Sequence, residues 1–296
     1  MKRRKIGFIG IGIMGKPMSK NLLKAGYPLV VNDINRKVVE EMVAVGAEAS
    51  ATPKEVAQKC ELVITMLPNS PQVEAVVLGD NGILQGAKAG TIIVDMSSIS
   101  PIVAKKLAVK SKEKGVEMLD APVSGGESGA IEGTLAIMVG GKQEVFDQVE
   151  DIFSIVGSSS VLVGNHGSGS MTKLVNQIIV NLNIATISEA MVLAAKAGVD
   201  IEKVYKAIRG GLAGSSVLDA KIPRILQRDF KAGGRIDINL KDLTNVMETA
   251  HDIEVPLPFS SQLLEVLQSL KVDGKGEDDH GGIIQYFERL AGIKVK

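Results

Sequence analysis

Several residue types are scarce in this chain of 296 residues, and each scarcity excludes a class of protein. The one cysteine, Cys60, cannot form an internal disulfide, which excludes a disulfide-stabilised secreted fold. The three histidines, His166, His251 and His280, lack the spacing of metal ligands, so we expect no zinc site. The absence of tryptophan, with three Tyr and six Phe, leaves few rings on which nucleic-acid bases could stack.

The chain also lacks an excess of charge and a long uninterrupted apolar run. Because 34 Lys and Arg balance 34 Asp and Glu, neither nucleic acid nor an anionic membrane is an expected partner. The basic start, Met1–Lys5, precedes an apolar run too short and glycine-broken for a secretion signal. The most apolar later stretch, 178–195, is interrupted by Asn181, Asn183 and Glu189, which favours a buried helix over a membrane span. We therefore expect a cytoplasmic protein.

The first half of the chain alternates short β-branched runs with amphipathic helical patterns, such as 17–25 and 102–114. This alternation with short connections predicts a parallel, doubly wound sheet, an α/β Rossmann domain. The expected strands are 5–9, 29–32, 62–67, 91–95, 117–120, 135–139 and 161–163, with a helix near 144–155.

The pattern changes after Gly164, where one long apolar helical stretch covers 170–197 and ends at Gly198. Only helical patterns follow. They cover 201–209, 217–227, 239–251, 258–273 and 281–291. The sequence therefore predicts an α/β domain over 1–164, expected to bind a dinucleotide, and an all-α domain over 165–296.

A GxGxxG motif follows the first expected strand and opens a helix. In this setting the first glycine permits a tight turn, the second lets a pyrophosphate approach the backbone, and the third allows close helix–strand packing. The amides and the positive dipole of the helix N-terminus then bind phosphates. A plain glycine-rich turn is the alternative. The motif residues are Gly10, Ile11, Gly12, Ile13, Met14 and Gly15.

Asp33 stands at the end of the second strand, eighteen residues after Gly15. A carboxylate there accepts both hydroxyls of an adenosine ribose and repels a 2′-phosphate, which favours NAD over NADP. Arg36 softens this preference because it offers a partner to a 2′-phosphate, so NADP stays possible. An Asp that only caps the next turn is the alternative.

Two further strand ends should face the dinucleotide, since ligands of open α/β sheets bind outside the carboxyl ends of the strands. Leu67 and Pro68 follow one strand, and Ser98 follows the next. Each could equally begin a helix.

Three places later in the chain carry candidate chemistry. Lys173 and Asn176 lie three residues apart, on one face of a mostly apolar helix, where a lysine is costly without a role or a partner. The run Ser124, Gly125 and Gly126 offers a hydroxyl and open amides that form a nest for a carboxylate. Lys241 lies in a helical pattern from which it could reach cofactor or substrate. The alternatives are a surface lysine, a simple loop and an intrahelical ion pair with Asp242.

Four blocks together make the chain similar to the β-hydroxyacid dehydrogenase family. The resemblance covers essentially the whole chain, in the family's order. Stretches 66–71 and 208–221 are most similar to semialdehyde reductases of that family. The four blocks are 8–21, 120–126, 167–176 and 241–243.

The resemblance implies an NAD(P)-dependent oxidoreductase that interconverts a small hydroxy acid and its semialdehyde. By it, Lys173 is the catalytic acid/base, Asn176 helps hold the substrate, and 124–126 bind its carboxylate. It places Gly10 to Gly15, Asp33, Leu67, Ser98 and Lys241 at the NAD(P) site. It also implies a Rossmann domain joined by a long interdomain helix to an all-α domain, and a homodimer or homotetramer formed through the helical domains.

One departure concerns the substrate, because Gly234 stands where such reductases commonly carry Phe. We expect the loss of that ring to enlarge the pocket. Three alternatives stay open: a relative that acts on a branched 3-hydroxy acid, a non-catalytic module that binds a dinucleotide, and a reductase of imines, although relatives specialised for imines usually replace the lysine.

Overall fold

The computed structural model describes residues 3–296, so Met1 and Lys2 of the basic start lie outside the described residues. The chain divides into two compact units, one up to Lys173 and one from Leu174 to Lys296. This division falls within a long helix, nine residues after the domain boundary predicted at 164. That boundary stays a prediction.

The first unit is built on one nine-stranded sheet. Its strands are β1 (Ile6–Ile9), β2 (Leu29–Asn32), β3 (Glu48–Ala49), β4 (Leu62–Thr65), β5 (Ile92–Asp95), β6 (Glu117–Asp120), β7 (Val123–Ser124), β8 (Leu135–Gly140) and β9 (Gly157–Gly164). They lie in the order β3-β2-β1-β4-β5-β6-β8-β7, with β9 also paired to β8. Pairing is parallel from β3 to β6 and between β8 and β9, and β8 runs antiparallel to β6 and β7.

Helices connect the strands of this unit. They are α1 (Gly15–Lys24), α2 (Arg36–Val43), α3 (Pro53–Lys59), α4 (Ser70–Leu78), α5 (Pro101–Lys112), α6 (Gly126–Glu132), α7 (Gln143–Phe146) and α8 (Glu150–Val156). Several begin where a side chain accepts a backbone N–H, as Asn35, Thr52 and Ser100 do for α2, α3 and α5.

Two apolar clusters cover opposite faces of the sheet. Val31 and Ile64 pack into one cluster, and their neighbours Val30 and Val63 pack into the other. Successive side chains of a strand point to opposite faces, so this alternation shows a sheet buried on both sides. The first unit is thus the predicted Rossmann domain.

The second unit is helical throughout. Its helices are α9 (Ser168–Lys196), which begins in the first unit, α10 (Ile201–Ile208), α11 (Ser216–Leu226), α12 (Ile236–Asp252), α13 (Pro258–Val272) and α14 (Ile284–Ala291). Leu243 of α12 and Leu267 of α13 are fully buried in one core cluster. Within this unit the described residues include no named strand, as the sequence predicts.

Helix α9 is long and apolar enough, by length and composition alone, to cross a membrane. Core helices of globular proteins meet the same criterion. Ile184 and Met191 are buried in core clusters of the second unit, whereas Val175, Ile179 and Leu193 are exposed.

The predicted elements differ from the structure at two very short strands, at the start of the last strand and at one helix. Strands β3 and β7, of two residues each, were not predicted because two residues carry no alternation. Strand β9 begins at Gly157 rather than Val161, and the single helix expected over 144–155 is two helices, α7 and α8.

Candidate active site

The glycine-rich loop between β1 and α1 depends on two close approaches. Gly10 has φ +94°, and a Cβ there would lie 2.2 Å from the carbonyl oxygen of Met66. A Cβ on Gly15, the first residue of α1, would lie 1.9 Å from the carbonyl oxygen of Gly10. Only glycine fits both places, so the loop packs directly against the start of the helix and the end of β4.

Gly12 has a different environment, because a Cβ built there meets no atom within 4 Å. A group as large as a pyrophosphate can therefore approach this backbone beside the N-terminus of α1, and the loop fits a dinucleotide. A cavity of about 490 Å³ opens here. It is lined by Ile11, Gly12, Ile13, Lys16, Pro17, Lys20, Asn21, Lys24, Val38, Glu127 and Ile131.

Asp33 links this loop to the end of β2. Its Oδ2 accepts a hydrogen bond from the Ile11 amide at 2.6 Å, and its Oδ1 accepts one from the Asn35 amide at 2.8 Å. Each carboxylate oxygen can accept a second hydrogen bond, so the turn-capping role and a ribose-binding role are compatible. Arg36, the first residue of α2, lies three residues after Asp33 and is exposed.

A buried hydrogen-bond network lies behind the ends of β4 and β5. Asp95 Oδ1 accepts from the Thr65 hydroxyl at 2.7 Å and from the Ser97 amide at 3.2 Å. The Ser97 hydroxyl in turn accepts from the Leu67 amide at 2.9 Å. Burial raises the pKa of Asp95 to about 6 against the hydrogen bonds from Ser97 and Thr65, which lower it. This network fixes the loops that carry Leu67 and Ser98.

The residues predicted to bind a carboxylate form a sharp turn. Ser124 ends β7, and Gly125 and Gly126 follow with φ +140° and +64° at the start of α6. Positive φ values at both positions are open to glycine, so the backbone can turn sharply between β7 and α6.

Asp120, at the end of β6, binds the start of α9. Its Oδ1 accepts from the Gly167 amide and its Oδ2 from the Ser170 amide, both at 2.8 Å. Burial raises the pKa of Asp120, and these amide bonds oppose the rise. A carboxylate at a helix N-terminus satisfies otherwise unpaired amides and complements the dipole. Asp120 therefore positions the helix that carries Lys173.

Lys173 and Asn176 share one face of α9, as their spacing predicts. The Lys173 side chain is buried, with 8% of its residue surface exposed. The amide of Asn176 donates through Nδ2 to Gln177 Oε1 at 2.9 Å. A buried lysine at this position is the feature typical of a reactive amine.

A second buried network surrounds Gln177 in the helical unit. Gln177 Nε2 donates to Asp242 Oδ2 at 2.6 Å and to Asn239 Oδ1 at 3.3 Å. The other oxygen of Asp242 lies 2.7 Å from Lys241 Nζ. The intrahelical pair with Asp242 thus exists, and whether Lys241 also binds a cofactor stays a prediction.

The sequence analysis gave no positioning role to Asp95, Ser97, Asp120 or Gln177, and it named Asp242 only as an ion-pair partner of Lys241. One signal in the sequence marks the second network: polar residues recur along α12 at helical spacing and are all buried. They are Asn239, Asp242, Asn245 and Thr249.

The surroundings of Gly234 are defined by a neighbouring histidine. A Cβ on Gly234 would lie 3.3 Å from His280 Nε2, so the imidazole stands directly beside this glycine. The amides of Gly233 and Gly234 both donate to Asp279 Oδ2, at 3.1 and 3.0 Å. Space that a side chain at 234 would enter is therefore bounded by His280, and the predicted widening of the pocket stays a prediction.

No group of three or more His, Cys, Asp or Glu side chains among residues 3–296 could hold a metal ion.

Two models of known protein families match successive parts of the chain. Residues 5–164 match the model for the NAD binding domain of 6-phosphogluconate dehydrogenase. Residues 167–287 match the model for the NAD-binding segment of NADP-dependent 3-hydroxyisobutyrate dehydrogenase.

Two curated relatives align over nearly their whole lengths. The chain is 42% identical to a 2-hydroxy-3-oxopropionate reductase of Escherichia coli K12, covering 98% of this chain and 99% of the relative. It is 39% identical to a 2-(hydroxymethyl)glutarate dehydrogenase of Eubacterium barkeri, covering 99% and 98%. The solved structure of Mycobacterium tuberculosis 3-hydroxyisobutyrate dehydrogenase with L-serine has a TM-score of 0.89 at 27% identity, covering 96% of this chain and 98% of that one.

Proposed function

The chain belongs to the β-hydroxyacid dehydrogenase family, and from this premise we propose that it reduces tartronate semialdehyde (2-hydroxy-3-oxopropanoate) to D-glycerate. Membership makes it an oxidoreductase that uses a nicotinamide dinucleotide. The choice of substrate is supported by the 42% identity to a reductase of that compound. The choice of reaction is supported by a buried lysine, Lys173, three residues from Asn176 on α9.

In this proposal a reduced nicotinamide dinucleotide, held by the loop over 10–15 and by Asp33, would supply the hydride for the aldehyde carbon of the substrate. Lys173, as an ammonium, donates a proton from Nζ to the oxygen as negative charge develops there, which completes the alcohol. In the oxidative direction the neutral amine accepts that proton. Asp120 keeps the start of α9 in place, and burial of the lysine side chain keeps bulk water from competing for the proton.

The remaining substrate groups need hydrogen-bond donors and acceptors. We assign the carboxylate to the amides and hydroxyl of Ser124, Gly125 and Gly126, because the glycine turn between β7 and α6 carries no side chain larger than a hydroxymethyl group to shield its backbone. We assign the substrate hydroxyl to Asn176. For the cofactor we propose residues 10–15, Asp33, Leu67, Pro68, Ser98 and Lys241, with NAD preferred because Asp33 repels a 2′-phosphate.

A second candidate is the oxidation of 3-hydroxyisobutyrate, favoured by the structural similarity to a 3-hydroxyisobutyrate dehydrogenase. Its oxidised product, methylmalonate semialdehyde, carries a methyl group on C2 where tartronate semialdehyde carries a hydroxyl. A site built to bind a hydroxyl discriminates strongly against an analogue that lacks it, so kinetics separate the candidates.

The test is the initial rate of NADH oxidation with tartronate semialdehyde and, in parallel, with methylmalonate semialdehyde. We expect the higher kcat/KM with tartronate semialdehyde. Replacement of Lys173 by Ala should lower kcat by roughly 10²–10⁴ while NADH still binds, the usual effect of losing one acid/base group. Replacement of exposed Lys196 by Ala, on the same helix, is the control. Near-normal turnover of the Lys173 variant would refute the role of that residue.

We also propose that the protein acts in the cytoplasm as a homodimer or homotetramer. The exposed apolar side chains Val175, Ile179 and Leu193 along α9 support an interface on that helix.

A further inference from the structure

Asn176 carries an amide whose two ends differ: the oxygen accepts hydrogen bonds and the nitrogen donates them. Which end meets the substrate decides whether the residue recognises a donor, such as a hydroxyl, or an acceptor, such as a carboxylate. The orientation of an amide must be deduced from its hydrogen-bond network, and here the network is complete enough to do so.

The deduction starts at groups that can only accept. Asp242 forms an ion pair with Lys241 and, as a carboxylate, accepts hydrogen bonds and cannot donate them. Its Oδ2 lies 2.6 Å from the amide of Gln177, so the atom of Gln177 facing it must be Nε2.

Asn239 gives the same answer independently. Its Nδ2 faces the backbone carbonyl oxygen of Arg235 at 2.8 Å, and a carbonyl only accepts. Its Oδ1 is therefore the atom that faces Gln177, at 3.3 Å, and it requires a donor there. Two anchors thus fix the Gln177 amide with its nitrogen towards α12.

The orientation of the Gln177 amide determines the orientation of the Asn176 amide. With Nε2 turned towards Asp242 and Asn239, its Oε1 faces Asn176 and needs a donor, which is Asn176 Nδ2 at 2.9 Å. The oxygen of Asn176 consequently points away from Gln177. Gln177, Asn239 and Asp242 are buried, with at most 7% of their surface exposed, so water is a weak competitor for the bonds among these three residues.

We infer that Gln177 and Asp242 are positioning residues that fix the amide of Asn176 so that its carbonyl oxygen accepts a hydrogen bond from the 2-hydroxyl of the substrate. The inference rests on the proposed function. It makes the hydroxyl-bearing carbon, rather than the carboxylate, the part of the substrate that Asn176 recognises. An acid that lacks a hydroxyl on C2 forgoes this bond.

The test compares two substrates that differ only in this hydroxyl, tartronate semialdehyde and 3-oxopropanoate. In the Gln177→Met variant the side chain keeps its length but can neither donate to Asp242 nor accept from Asn176. We expect kcat/KM for tartronate semialdehyde to fall about tenfold, the effect of losing one oriented hydrogen bond. For 3-oxopropanoate we expect a change of less than about twofold, within the scatter of such comparisons. Asp242→Asn, which removes the acceptor-only anchor, should cause a smaller loss of the same selectivity.

The control is Asn181→Leu, a change at a buried amide on the same helix whose Nδ2 donates to the backbone oxygen of Gln177. It should leave the ratio of the two kcat/KM values unchanged. Equal losses with both substrates in the Gln177 variant would overturn the inference, because the effect would then lie with Lys173 or with folding. If the wild-type protein reduces neither compound, the proposed function fails, and the inference fails with it.

Discussion

The two units of this protein build their polar sites from different material. In the first unit, the proposed binding surfaces are mainly backbone: the loop over 10–15, the turn at 124–126, and amides that donate to Asp33 and Asp120. In the second unit they are side chains, joined through Gln177, Asn239 and Asp242. The shape of a site built from backbone is determined by the positions of its glycines. The shape of a site built from side chains is determined by which helices pack together.

Buried carboxylates show the same contrast in their pKa values. Asp95 in the first unit is surrounded by neutral donors, and burial raises its pKa to about 6. Asp279 in the second unit is also subject to burial, which alone would raise its pKa. There Lys221, at 2.8 Å, and the amide of Gly281 lower it to about 2. At Asp279 an opposite charge offsets burial, whereas at Asp95 the hydrogen bonds from Ser97 and Thr65 offset it only in part.

The strongest way to break the backbone-built site is to add one methyl group. Gly15→Ala would place a Cβ 1.9 Å from the Gly10 oxygen, against main chain that cannot rotate away. We expect a loss of about 3 kcal/mol or more in the free energy of unfolding, together with loss of NADH binding. Denaturant unfolding and NADH fluorescence titration measure the two effects.

Gly12→Ala is the matched comparison, because its Cβ meets no protein atom within 4 Å. It should leave stability almost unchanged and weaken NADH binding. Loss of stability with both alanines, or with neither, would contradict the distinct roles given to the two glycines.

Disruption of the buried ion pair between Lys221 and Asp279 in the second unit should cost less stability than Gly15→Ala. Asp279→Asn leaves Lys221 buried without its counter-charge, and the lowered pKa of Asp279 corresponds to about 2 kcal/mol of stability at neutral pH. Since the folded-state pKa lies below the unfolded value of 3.8, this contribution is present above pH 4 and is lost as the pH falls towards 2. Denaturant midpoints at pH 7 and pH 3 should therefore differ less in the variant than in the wild type. Asp273→Asn, which breaks an exposed ion pair, should change the pH 7 midpoint little.

Much of the first unit could be predicted from the sequence, for a physical reason. Strand β1, the glycine loop and α1 are contiguous, so a local pattern specifies both the elements and the turn that we propose to bind phosphate. The helical second unit was equally predictable at the level of its elements, because each helix carries its own apolar period.

The side-chain networks could not be predicted in the same way. Gln177 and Asp242 are 65 residues apart, and only the packing of α9 against α12 determines that they meet. His280 lies 46 residues after Gly234, and nothing local connects them. A sequence pattern locates a buried polar stripe on one helix but does not identify its partner.

The prediction with the smallest expected effect concerns Asp33, whose side chain contributes to a site in the first unit that is otherwise built from backbone. Its two oxygens already accept from the amides of Ile11 and Asn35, and each retains a lone pair for a ribose hydroxyl. Asp33→Asn keeps one of these acceptors and removes the negative charge that repels a 2′-phosphate. We expect the ratio of kcat/KM with NADH to that with NADPH to fall about tenfold, which is roughly 1.4 kcal/mol.

Arg36→Ala should shift the same ratio in the opposite direction, because it removes the nearby cation that a 2′-phosphate would meet. If neither variant changes the ratio, Asp33 serves the loop alone, through its bonds to Ile11 and Asn35. The cofactor site of the first unit would then be built from backbone alone, in contrast to the side-chain network of the second unit.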